Sequence, residues 1–334
     1  MVNAVLSIFL CWPPLAAPGD AASPSGGAGS EMQLQTDLAA ANAEISRLRQ
    51  EISRVAGSPA EPGLWLQLAK VLRVRARLQI DLRAEAGDEN WYDDPEGRRS
   101  MEEALEALQH FFGTGVFSLR PPALLERIQI LRELGRFDLM LSTIAELAEE
   151  NPRSEEAGSG LLILANYHFD RENFTEAARQ YRKIISGAFS AEVSNYARYR
   201  LAWVRVNEAA TDGQKTWAEA LELFGQVARS RKEMPDVVQK RPRIDLRRQA
   251  LIDMALCFPR ARPNGDALKF FEGFGMDREE TLAILPRLAQ RYYMEERFAA
   301  AGAIYRKLLS LNPPAQDAED YRARLEDIEH LPVK

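Results

Sequence analysis

Side chains that could serve as nucleophiles, bases or metal ligands are few and scattered. The 334-residue chain holds two cysteines, Cys11 and Cys257, and three histidines, His110, His168 and His330. None has a second Cys or His at metal-ligand spacing, and no Cys/His or Ser/His pairing marks a nucleophile. There is no G-x-S-x-G turn or H-E-x-x-H helix. The glycines of "GGAGS" (26–30) lie in a low-complexity tract, not between a strand and a helix where they could cradle a phosphate. The acidic stretch "GDENWYDDPEG" (87–97) lacks the ligand order and closing Glu of an EF-hand and reads as a solvent-exposed insertion. Cys257, between Leu256 and Phe258, reads as a buried structural thiol. No catalytic residue, metal site or cofactor is therefore expected.

The charge pattern narrows the partners. Asp and Glu number 49 against 43 Lys and Arg, a net charge of −6, which argues against broad nucleic-acid binding, since that rests on basic side chains neutralising phosphates. One basic stretch, "RSRKEMPDVVQKRPRIDLRRQ" (229–249), reads as a connection and helix start, with an anionic partner as the alternative. No run approaches the roughly 18 apolar residues of a membrane-spanning helix. At the N-terminus, "AVLSIFLCWPPLAA" followed by small residues has the form of a secretory leader, although no Lys or Arg precedes it.

The elements that must position any site are helices. After the leader and low-complexity segment (1–30), Leu34, Leu38, Ala41, Ile45, Leu48, Ile52 and Val55 alternate in steps of four and three. That spacing predicts a short coiled-coil helix over 31–57, through which two copies could associate; the alternative is an amphipathic helix lying on the body of the protein. From Pro62 onward helical periodicity dominates. Residues 58–120 read as a degenerate helical repeat with an insertion, with Ala69 and Ala104 at its small sites, and 121–334 as a helical-repeat solenoid closed by a polar capping helix.

The repeat is clearest in two segments. "GLLILANYHFDRENFTEAARQYRKII" carries Ala165, Phe174, Ala177 and Tyr181, and "LPRLAQRYYMEERFAAAGAIYRKLLSLNP" carries Ala289, Phe298, Ala301 and Tyr305, both at intervals of nine, three and four. Small residues let paired helices approach closely, the tyrosines fill space toward the next unit, and Pro313 stops the last hairpin. Other copies depart from the pattern. One has Met140 and Ile144 at the Ala and aromatic sites, one keeps Leu201, Ala202, Ala220 and Phe224 with about six extra residues between its helices, and one keeps Ala255, Ala267 and Phe271. The pattern resembles the tetratricopeptide repeat (TPR), which implies an all-α, TPR-like helical-hairpin solenoid.

What the resemblance implies about function follows from its register. First helices of TPR arrays line a concave groove that takes partner segments. Carried onto this chain, that register puts Asn166, Tyr196, Tyr199, Trp203, Asn207, Gln290 and Tyr293 toward the groove, with Tyr196, Tyr199 and Trp203 on one stripe. The competing reading packs these rings against the adjacent second helix. "NYARYRLAWVRVNEA" is similar to a helix of bacterial cell-envelope TPR proteins of the Tol–Pal coordinator and gliding-machinery type. The resemblance implies a non-enzymatic scaffold, periplasmic or envelope-associated, that binds protein partners. The alternatives are a cytosolic TPR adaptor or an accessory subunit of an envelope enzyme complex.

Overall fold

A computed structural model describes residues 28–91, 94–230 and 245–330. The leader reading and most of the basic stretch, 231–244, fall outside the described residues. Among the described residues there are fourteen α-helices and no strand, so the chain is an all-α helical repeat. It divides into two compact units, 1–164 and 165–334, with the division inside one helix.

The first unit comprises α1 (Ala28–Arg54), α2 (Glu61–Glu85), α3 (Pro95–Gly113), α4 (Arg120–Glu133), α5 (Phe137–Glu150) and the start of α6 (Glu155–Asp170). Prolines open α2, α3 and α4, where a missing N–H costs nothing. Ala69 and Ala104 are fully buried, and α2 and α3 pack closely as the degenerate pair. The acidic insertion has a structural task. Asp94 caps α3 by accepting from Gly97 N–H at 2.7 Å, and Arg83 pairs with both Asp88 and Asp94.

The C-terminal part of the α1 seam is used within the chain, as in the alternative of an amphipathic helix lying on the body of the protein. Ile45, Leu48 and Ile52 share one core with Leu64, Leu68 and Leu72 of α2 and with Met101 and Leu108 of α3. Side chains that would meet a second copy meet α2 instead, because burial there removes the same apolar surface from water without the entropic cost of association. Leu34 and Leu38, beyond the reach of that core, stay half-buried.

The second unit holds the end of α6, then α7 (Phe174–Ser186), α8 (Ala191–Asp212), α9 (Gln214–Arg229), α10 (Leu246–Ala261), α11 (Ala267–Glu272), α12 (Arg278–Met294), α13 (Phe298–Ser310) and α14 (Ala315–His330). Ala165, Ala177, Ala202, Ala220, Ala289 and Ala301 are all fully buried at helix contacts. Tyr181 reaches the next hairpin, where its hydroxyl accepts from Arg200 Nε at 3.2 Å, and Tyr305 stacks on Tyr321 of α14 at 5.7 Å.

One turn explains the recurring phenylalanine. Gly135, Glu172 and Glu296 all adopt left-handed φ, and the next residue's N–H bonds the carbonyl five back: Arg136 to Leu131, Asn173 to His168 and Arg297 to Tyr292, at 2.8–2.9 Å. Phe137, Phe174 and Phe298 then begin the second helix. Two repeats depart from their expected form. The extra residues of the fourth copy lengthen α8 to 22 residues instead of forming a loop, and the second helix of the fifth copy, α11, stops after six residues.

Candidate functional site

The stripe on α8 is built by a helix that Ser190 caps, accepting from Val193 N–H, and that ends at Gly213 with φ +72°. Its apolar positions Ala197, Leu201, Ala202, Val204 and Val206 are buried. Within the stripe the three aromatics separate. Tyr199 is only 1% exposed, whereas Tyr196 and Trp203 are half-buried. Tyr199 therefore is a core residue and not a groove residue. Its ring meets Phe224 edge-on at 5.5 Å and its hydroxyl donates to Asp253 Oδ2 at 2.7 Å. The physical reason is α10: a helix packed beside α8 covers the middle of the stripe and supplies a buried acceptor for the phenol.

Asp253 sits one turn before the buried Cys257 on α10, and Gln249 Nε2 approaches it at 3.3 Å. Burial pushes its carboxyl up to about 7, opposed by hydrogen bonds from Tyr199, Gln249 and Trp203 and by the charge of Arg287. Burial likewise raises the Tyr199 phenol and the Cys257 thiol well above their ordinary ranges, so Cys257 stays a protonated packing group. Trp203 thus stands over a polar knot. Its ring meets Phe224 edge-on at 5.9 Å, and the Asn207 amide donates to its carbonyl at 2.8 Å.

The remaining expected groove residues have different surroundings. Asn166 accepts from the Tyr181 hydroxyl at 2.6 Å, and the buried Arg200, stacked 4.1 Å over Phe169, completes that network. Tyr293 is half-buried, edge-on to Phe298 at 5.6 Å, with Arg324 of α14 4.9 Å over its ring and its hydroxyl 3.4 Å from Asp327. Asn207 and Gln290 are exposed. The surface on α8 is therefore Trp203 and Tyr196 with Asn207, braced from beneath by Tyr199 and Asp253.

Asp253, Gln249 and Arg200 were missed by the sequence reading. The available signal was a lone Asp in the apolar run "ALIDMALCF", since a carboxylate there must find a buried donor. Among the described residues no group of three or more His, Cys, Asp or Glu is placed to hold a metal ion, and no helix is long and apolar enough to cross a membrane.

No protein-family model matches the chain, and no curated protein matches it. Solved structures do. The C-terminal part of a TPR repeat-containing protein from Cytophaga hutchinsonii is 14% identical, with 87% of this chain and 98% of that one covered at a TM-score of 0.46. A tetratricopeptide repeat protein from Parabacteroides merdae is also 14% identical, over 86% and 99%, at a TM-score of 0.34. Overlap at these scores is partial, and the repeat stands on the chain's own hairpins and their shared turn.

Proposed function

We propose that this chain is a non-enzymatic interaction scaffold of the cell envelope that holds a segment of a partner protein against the first-helix face of α8. The observation that carries the reading is Trp203. It is a large, half-buried aromatic whose ring is braced by Phe224 and whose backbone is bonded by Asn207, beside the half-buried Tyr196, whose hydroxyl points inward. A tryptophan already held in place loses little freedom when a partner covers it, which is the property of a binding hot spot. The leader-like N-terminus supports the envelope setting.

The test is affinity capture from native envelope with wild type and Trp203→Ala side by side. Loss of one or more specific partners is expected, with an unchanged far-ultraviolet circular dichroism spectrum. A folded variant that retains every partner removes the reading, and fractionation of the native protein with cytosol replaces the envelope setting by that of a cytosolic adaptor.

A further inference from the structure

A second surface lies in the first unit, among α3, α4 and α5. Here a groove of about 410 Å³ is lined by Leu105, Phe112 and Leu139, by Arg120, Arg127 and Arg136, and by the carboxylate of Glu146. That volume is in the range of sites that enclose a small ligand or a few side chains. Leu139 is 48% exposed, and the half-buried Leu105 and Phe112 line the same groove.

The three arginines differ in what balances them. Arg120 pairs with Glu146 at 2.5 Å and Glu150 at 2.7 Å, and Arg136 with Glu102 at 2.5 Å. Arg127 has no carboxylate partner among the described residues; its guanidinium lies 5.9 Å over the Phe112 ring, with Arg120 at 5.5 Å from the same ring. A partner that covers this groove with apolar atoms alone would bury a cation without a counter-charge, which is strongly unfavourable. A partner that brings a carboxylate to Arg127 as its apolar side chains cover Leu139 and Leu105 meets both demands.

We infer that this groove docks a short amphipathic helix of a partner protein, one that places a leucine or phenylalanine on the floor and an Asp or Glu within one helical turn of it, on Arg127. The spacing follows from helix geometry, where residues three and four apart share a face. The site is independent of the Trp203 surface, being made by other helices of the other unit.

The experiment uses the full chain and a phage-displayed library of helix-favouring peptides, with an Arg127→Gln and a Leu139→Asp variant, both at positions with solvent access. Selected peptides are expected to pair a large apolar residue with an acid three or four positions away. Their affinity, measured by fluorescence anisotropy, should fall about tenfold or more when the peptide acid becomes an amide or when Arg127 becomes Gln, in keeping with a charge-assisted hydrogen bond. Combining the two changes should cost little more than either alone. Leu139→Asp should remove binding with its circular dichroism melt unchanged, and Trp203→Ala should leave it intact.

Selected peptides without an acid, or with equal affinity for Arg127→Gln, overturn the inference. Failure to select any peptide that wild type prefers to Leu139→Asp also overturns it. Binding of dodecanoate with the same Arg127 dependence, and no peptide, assigns the groove to an amphipathic small molecule instead.

Discussion

The two units join their hairpins by partly different means. In the first, ion pairs cross between helices: Arg73 to Glu126 at 2.5 Å and Arg77 to Glu133 at 2.6 Å link α2 to α4, and Arg75 to Glu103 at 2.9 Å links α2 to α3. In the second, buried tyrosines do much of this work, through Tyr181 with Asn166 and Arg200, and Tyr199 with Asp253. The first unit has Met140 and Ile144 where the second has Ala177 and Tyr181, and all four are buried. The ion pairs of the first unit are not confined to its surface, since the Glu126 carboxylate that meets Arg73 is itself buried. Ion pairs cross between helices in the second unit too, Arg205 to Glu219 at 3.1 Å and Arg247 to Glu280 at 3.2 Å, so what sets it apart is the added pair of buried tyrosine networks.

The largest effect that could break this comparison is at the small site. Ala177→Leu should destabilise the protein by about 1–3 kcal/mol through overpacking, whereas Met140→Leu, at the same register position of the first unit, should cost less than about 1.5 kcal/mol as a volume-conserving change. Urea unfolding followed by circular dichroism compares them, and equal losses would mean that the two small sites do not differ.

A smaller effect concerns Asp253. Its folded carboxyl is raised to about 7 from an ordinary 3.8, so the native state holds a proton that the unfolded chain has released between those values. The resulting stabilisation is complete below the unfolded value and is lost as pH rises through about 7. Wild type should therefore gain stability relative to Asp253→Asn as pH is lowered from 8 toward 5, measured as the difference in unfolding free energy at each pH. A difference that is flat with pH would show that Asp253 does not titrate in this way.

The smallest effect separates the units by salt. Partly exposed ion pairs contribute about 0–1 kcal/mol each and weaken as salt screens them. Raising NaCl from about 0.05 M to about 0.5 M should speed amide hydrogen exchange a few-fold in α2–α4 and by less in α7–α10, where buried tyrosine networks add to the ion pairs. Uniform acceleration would argue that the ion pairs do not distinguish the first unit.

Much of the repeat was legible in the sequence. Ala165, Ala177, Tyr181, Ala289, Ala301 and Tyr305 all occupy the buried positions their spacing called for, because interval and turn are local properties of the chain. The candidate surface was legible only as a stripe. Spacing put Tyr196, Tyr199 and Trp203 on one side of α8, but it could not tell which ring α10 would cover, and it gave no hint that Asp253 would bond the covered one. In α1 the seven seam residues were plain, yet a seam facing a second copy and a seam facing α2 have the same periodicity.

By itself, then, the sequence determined that the chain is helical, where its hairpins turn, and which small residues sit between helices. Each of these follows from contacts within one turn or one hairpin. Only the tertiary structure decided that Tyr199 is core while Trp203 reaches solvent, that α1 folds onto its own chain, and that Arg127 alone of three groove arginines lacks a carboxylate among the described residues. Those outcomes depend on partners from other helices, such as Asp253 for Tyr199 and Glu126 for Arg73, each more than fifty residues away along the chain. No local pattern encodes such a pairing, because it exists only once the helices have packed.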